Sequence, residues 1–281
     1  TAEGVTAYPS VVTREIAKFV LAESAGVNVL ARASGISVAL VDAGMLEALP
    51  PHDLLFDRSI AKGTKNSRIE PAMTHAQCDA ALEAGRAIDA HLGDSGVGIV
   101  GYGEIGIGNT SAAALVAHVL TGIPLASLVG PGAGAPALGV DHKRQVLEAA
   151  LSRAAIKSTE SSARAREALR QFGGFEIAMM AGAMTAAADA RRIIVVDGFI
   201  STVAAIAAIA LKPEVRGSCI FAHCSAEPGH KALLDHLDAR PLLELDMRLG
   251  EGTGAALAIP IVRAAELMLR EMADLPGEHP A

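Results

Sequence analysis

Tryptophan is absent from this 281-residue chain, and two tyrosines and six phenylalanines make up a bare 3% of aromatic residues. With 51% of the residues apolar, the core must be built from Ala, Val, Leu and Ile, with helices packed closely over Gly and Ala. A basic excess is lacking too. Lys and Arg number 24 against 31 Asp and Glu, a formal charge of −7. That excludes a general nucleic-acid or membrane-surface role, because either needs a basic face. The three cysteines, Cys78, Cys219 and Cys224, form no disulfide framework, and an odd count fits a reducing, cytoplasmic setting. No uninterrupted apolar run reaches the roughly 18 residues that a membrane span requires. The length suits one large α/β domain, alone or with a small helical appendage.

What the chain has is glycine, 28 residues of it, gathered in short clusters. The most telling is Arg248-Leu249-Gly250-Glu251-Gly252-Thr253-Gly254, which runs into the apolar segment 255–268. Glycines at alternate positions allow positive φ and close backbone approach, and Glu251 between them is the one side chain there able to move a proton. A helix is expected to follow, with its free N–H groups directed at whatever lies over the glycines.

Helical spacing is expected over residues 11–23 and 27–33, ahead of a strand at 37–41. Residues 50–73 read as a polar loop with Lys62, Lys65 and Arg68, and Thr74 as the cap of an amphipathic helix to His91. A strand at 97–101 then enters Gly101-Tyr102-Gly103-Glu104-Ile105-Gly106-Ile107-Gly108-Asn109-Thr110 and an Ala-rich helix at 111–120. A strand, a glycine loop and a helix start favour a bound anion. A second glycine turn, 129–134, leads to a helix around 142–153 with Lys143 in its first turn, where it opposes the helix dipole and a ligand anion would give it a reason. Residues 158–170 read as a linker into an exposed helix, and 175–190 as a helix of small residues. Strands at 193–196 and 218–222 each end at a helix start, the first in Asp197-Gly198-Phe199-Ile200-Ser201, the second in His223-Cys224-Ser225-Ala226-Glu227-Pro228-Gly229-His230. Such alternation indicates an α/β fold, a Rossmann-like, mostly parallel sheet flanked by helices with ligands at the strand carboxyl ends.

Gly101-x-Gly103-x-x-Gly106 satisfies a dinucleotide fingerprint, so an NAD-dependent oxidoreductase is a rival reading. Against it, residues 122–130 hold no acidic ribose partner, and Glu104 inside the turn would repel a pyrophosphate while remaining able to accept from ribose hydroxyls. His223, Cys224 and His230 offer zinc-type donors but no evident fourth ligand, so hydrogen-bonded or pocket-lining histidines are the simpler expectation.

Together, Gly103-Glu104-Ile105-Gly106-Ile107-Gly108-Asn109-Thr110, Asp197-Gly198-Phe199-Ile200, Ser225-Ala226-Glu227-Pro228-Gly229-His230 and the segment from Arg248 to Ala258 resemble the nicotinate-nucleotide:dimethylbenzimidazole phosphoribosyltransferase family of cobalamin synthesis. Supporting stretches are Glu3-Gly4-Val5-Thr6-Ala7-Tyr8-Pro9 and Asn28-Val29-Leu30-Ala31-Arg32, and the order is kept along the whole chain. The resemblance implies a large Rossmann-like domain over 34–245, a small helical domain from 1–33 and 255–281, and an active-site loop at 246–254. It implies a homodimer with small-molecule substrates, no cofactor and no metal. The reaction it implies moves phosphoribose from nicotinate mononucleotide to a base such as 5,6-dimethylbenzimidazole, giving α-ribazole 5′-phosphate and nicotinate. By the same likeness Glu251 is the general base. Glu104, Gly106, Gly108, Asn109, Lys143, Gly198 and Phe199 hold the mononucleotide, with Lys143 at its phosphate, and Tyr8, Ser10 and Leu249 border the entering base.

The family pattern also places a helical segment and a strand ending in an Asp-His-Gly turn ahead of the Glu-Gly-Val stretch at residues 3–5, and it more often has Met where Ile105 stands, a volume-conserving change. A third class, a fold that binds nucleotide without turnover, stays open beside the transferase and the oxidoreductase.

Overall fold

The computed structural model describes residues 1–132 and 137–273. Part of the glycine turn at 129–134 and the end of the expected helical segment, 274–281, lie outside them. Two helices open the chain, α1 (Val11–Leu21) and α2 (Gly26–Ala33), followed by the short strands β1 (Leu40–Asp42) and β2 (Leu55–Asp57). Strand β2 falls within the stretch expected to be loop; three residues flanked by turn formers are too few to show alternation. Thr74 then caps α3 (His75–Asp94): its hydroxyl accepts from Gln77 N–H at 3.1 Å while the Gln77 side chain accepts from Thr74 N–H at 2.9 Å.

After β3 (Ile99–Tyr102) come α4 (Asn109–Thr121), α5 (Leu125–Leu128), α6 (Ala137–Arg153), α7 (Ser161–Phe172) and α8 (Phe175–Asp189). Helix α7 departs from the exposed helix expected, because Ala165, Ala168, Leu169 and Phe172 are buried. Its inner face is largely alanine, too weakly apolar to stand out among charged neighbours. Helix α8 packs on α3 backbone to backbone. A Cβ on Gly85 would sit 1.9 Å from Met179 O, and one on Gly182 would sit 2.0 Å from Leu82 O. This is how a core poor in aromatics reaches interior density.

The chain closes with β4 (Ile193–Val196), α9 (Phe199–Leu211), a 3₁₀ turn (Pro213–Ser218), β5 (Cys219–Phe221), β6 (His223–Cys224), α10 (Pro228–His236), β7 (Leu243–Glu244) and α11 (Thr253–Glu271). Every strand pairing is parallel, as α/β alternation requires. The sheet is in pieces, however: β3-β4-β5 in the middle, β6-β7 beyond it and β1-β2 apart. Ala222 joins the first two, since its N–H donates to Val196 O at 2.8 Å and its carbonyl accepts from Leu243 N–H at 3.0 Å. Between β1 and β3 lies a cavity of about 1180 Å³, walled by residues 36–41 on one side and 96–103 on the other. No helix among the described residues is long and apolar enough to cross a membrane.

Candidate active site

The site forms where β3 and β4 end. Past β3, Gly103 runs directly beneath Gly252: a Cβ there would meet Gly252 N and Cα at 2.3 Å. The next residue, Glu104, turns its carboxyl back into its own loop, where Oε2 accepts from Gly106 N–H at 2.9 Å and Asn109 Nδ2 at 2.6 Å. Burial, with Glu176 next, pushes its pKa up to about 8, so the group is largely a neutral acid at pH 7. A turn whose Gly106 amide is already taken by a side chain does not present the bare backbone that a pyrophosphate needs. This weighs against the dinucleotide reading. Gly108, at φ +97°, is the left-handed cap that starts α4.

Lys143 is 1% exposed, and its Nζ donates to Thr110 Oγ1 at 2.8 Å and Gly130 O at 3.0 Å. Burial lowers its pKa to about 8, with Glu227 acting against the shift. The first-turn placement is corrected: α6 begins at Ala137, so Lys143 stands in the second turn and the dipole argument does not apply. The ammonium lies just behind a cavity wall, held by Thr110. Thr110, Gly132 and Glu227 beside it line a cavity of about 150 Å³ together with Gly106, Gly108, Asn109, Gly198 and Phe199.

Glu251 enters from the opposite side. Its backbone N–H donates to Glu104 O at 3.0 Å, and its Oε2 accepts from Val27 N–H, in the first turn of α2, at 3.1 Å. The smaller cavity shares a wall with the larger one, made of residues 104–109 and Glu251. Glu251 therefore stands where the two cavities meet. Leu249, 60% exposed, lines the smaller cavity and Ser10 the larger; Tyr8 is 48% exposed and lines neither. Nine of the eleven residues singled out in the sequence thus line the two cavities; Lys143 stands behind the wall of the smaller one, bonded to Thr110, and Tyr8 lies at the margin.

Asp197, His223, Ser225, Glu227 and Arg248 also line the smaller cavity, without having been picked out as site residues. Their signal was position, since each follows or lies close to a strand end. Asp197 is 4% exposed; burial raises its pKa to about 6 against the pull of three backbone N–H groups. The helix start is not free for a ligand, because Ala255 N–H donates to Asp197 Oδ1 at 3.0 Å. His230 is taken up in packing. Its Nδ1 accepts from Ser225 N–H at 2.9 Å, which leaves the proton on Nε2 to donate to Thr202 Oγ1 at 2.9 Å. Among the described residues no three His, Cys, Asp or Glu side chains are placed to hold a metal ion together.

A parallel α/β sheet whose strand ends carry a buried lysine, a glycine cradle and a carboxylate between two cavities suits a pentosyltransferase, an enzyme that moves a sugar from one base to another. The chain belongs to the phosphoribosyltransferase family, whose model matches residues 1–277. It is 48% identical over 274 residues to the nicotinate-nucleotide–dimethylbenzimidazole phosphoribosyltransferase of Cupriavidus necator, covering 98% of this chain and 78% of that protein. It is 46% identical to the like-named protein of Dechloromonas aromatica, covering 96% of this chain and 77% of that one. The crystal structure of CobT from Thermus thermophilus superposes with a TM-score of 0.91 at 38% identity, covering 96% of this chain and 79% of that one. The family read from the motifs and the α/β fold are both borne out.

Proposed function

We propose that this protein transfers the phosphoribosyl group of nicotinate mononucleotide to 5,6-dimethylbenzimidazole or a related base, releasing nicotinate and forming α-ribazole 5′-phosphate. One observation carries the reading: Glu251 is a carboxylate at the junction of two cavities, one beside a buried lysine and the other large and largely apolar, while Glu104, on the same wall, is engaged by Gly106 and Asn109. The relatives' names state the two substrates, and the site's chemistry suits both.

Lys143, behind Thr110, draws the phosphate to the smaller cavity, where the loop at 106–109 and Gly198–Phe199 cradle the ribose and Glu104 faces the hydroxyls. The entering benzimidazole lies against Leu249 and Ser10, with Tyr8 closing over it. One ring nitrogen attacks C1′ as its other N–H becomes acidic, and Glu251 accepts that proton. The C1′–nicotinate bond breaks with its electron pair going to the pyridine nitrogen, so nicotinate leaves as a neutral ring and needs no strong acid. Attack from the opposite face inverts C1′ from β to α. General-base catalysis of this kind contributes about 10²–10⁴-fold, and the rest is positioning and exclusion of water.

The reading extends to a homodimer acting in the cytoplasm, with the large domain at 34–245, the helical ends at 1–33 and 255–281, and residues 246–254 as the loop bearing the base. The test is nicotinate release from nicotinate mononucleotide with and without dimethylbenzimidazole. Release that depends on the base is expected, and Glu251→Gln should keep binding of both substrates while losing about 10²-fold or more in turnover. Release indifferent to the added base would reject the proposal.

A further inference from the structure

The turn that carries Glu251 is held from within by Thr253 alone, whose N–H and hydroxyl donate to Gly250 O at 3.0 and 2.8 Å. Gly250, Glu251 and Gly252 adopt φ of +81°, +62° and +84° in succession, a left-handed run that includes one residue with a side chain. Gly252 is also the N-cap of α11. A Ser, Thr, Asn or Asp cap takes extended backbone, so no side chain at that position could satisfy the first N–H groups of the helix. A side chain there would in any case be strained by the positive φ.

Asp197 provides the cap from another element. It follows the last residue of β4, is 4% exposed, and its Oδ1 receives the Ala255 N–H at 3.0 Å; Gly254 and Gly252 N–H also face it. Gly254 is pressed against the same carboxylate and against His223, since a Cβ there would lie 2.8 Å from Asp197 Oδ1 and 2.2 Å from His223 Cδ2. No cation competes for the carboxylate. His223 Nε2 is 4.0 Å away on a ring that burial keeps neutral, and the other titratable neighbours, Glu251 and Glu104, are carboxyl groups that supply no positive charge. Gly198 and Phe199, next along the chain, line the smaller cavity.

We propose that Asp197 is a positioning residue for the transfer: by capping α11 across the sheet edge it fixes the left-handed turn that aims Glu251, and it ties that turn to the nucleotide loop at Gly198–Phe199. The proposal rests on Glu251 acting as the base, and a double-mutant cycle keeps the two claims apart. Asp197→Ala should lower kcat about 10²-fold, the loss expected for a base misplaced by about 1 Å, with KM for the mononucleotide held within about threefold. Asp197→Asn, which keeps an acceptor oxygen, should lose less. In a Glu251→Gln background either substitution should cost no more than about twofold, because the group being aimed is gone. An equal loss with and without Glu251, or full turnover in Asp197→Ala, overturns the positioning role. Full turnover in Glu251→Gln alone rejects the base itself. If Asp197→Ala does not fold, the same cycle run with Asp197→Asn decides the question.

Discussion

Lys143 shows what a single residue can and cannot disclose in a sequence. Its charge and its place after a glycine turn suggested an anion, but the reason first offered, a first-turn position, fails because α6 starts at Ala137. The better reason is burial. An ammonium 1% exposed whose partners are two neutral oxygens is costly to keep charged, and burial brings its pKa down to about 8. Below that value the free enzyme offers an ammonium; above it, a neutral amine that no longer attracts a phosphate. KM for nicotinate mononucleotide should therefore climb as pH rises beyond about 8, with KM for the base unchanged, and Lys143→Ala should raise the mononucleotide KM about tenfold or more at pH 7 and abolish that climb. A mononucleotide KM that is flat up to about pH 9.5 in the wild type would remove the phosphate role. Glu251 was legible for the opposite reason, as the one titratable side chain in a run of glycines. Position alone gave Asp197 no role and His223 only that of a hydrogen-bonded or pocket-lining histidine, since what matters about them is whom they touch 58 and 31 residues away at Ala255 and Gly254.

Elements were read with uneven success. Long helices with a clear boundary, such as α3 with its Thr74 cap, and apolar strands such as β4 stood out. Strand β2 and the buried face of α7 did not, because three residues carry no period and alanine carries little hydrophobic signal. The single sheet that alternation suggested is divided by the cavity between β1 and β3, and no local pattern encodes a gap between two strands. The crossing of the β3 loop under the α11 loop is likewise a contact between distant segments. It gives a direct test at this scale. Gly103→Ala puts a methyl 2.3 Å from Gly252 backbone atoms, so the base-bearing turn must shift, and turnover should fall about 10²-fold. Gly217→Ala, in open space in the 3₁₀ turn before β5 and outside both cavities, should leave turnover unaltered. Equal effects from the two would mean that the contact does not position the site.

At the scale of the whole molecule, the order of four motifs along the chain carried the family, and the match over residues 1–277 bears this out. Composition had already forecast an interior built on small residues, which the close approach of α3 and α8 realises. The proposed homodimer should appear in light scattering as twice the 28.7 kDa chain mass at assay concentrations; a single-chain mass would contradict it. The central claim remains that Glu251 takes the proton of the entering ring. A crystal structure with nicotinate mononucleotide and dimethylbenzimidazole both bound measures this most directly. A Glu251 carboxylate oxygen should lie about 2.6–3.2 Å from one benzimidazole nitrogen, with the other nitrogen facing C1′. A carboxylate turned away from the base, or a base bound with neither nitrogen directed at C1′, would contradict the account.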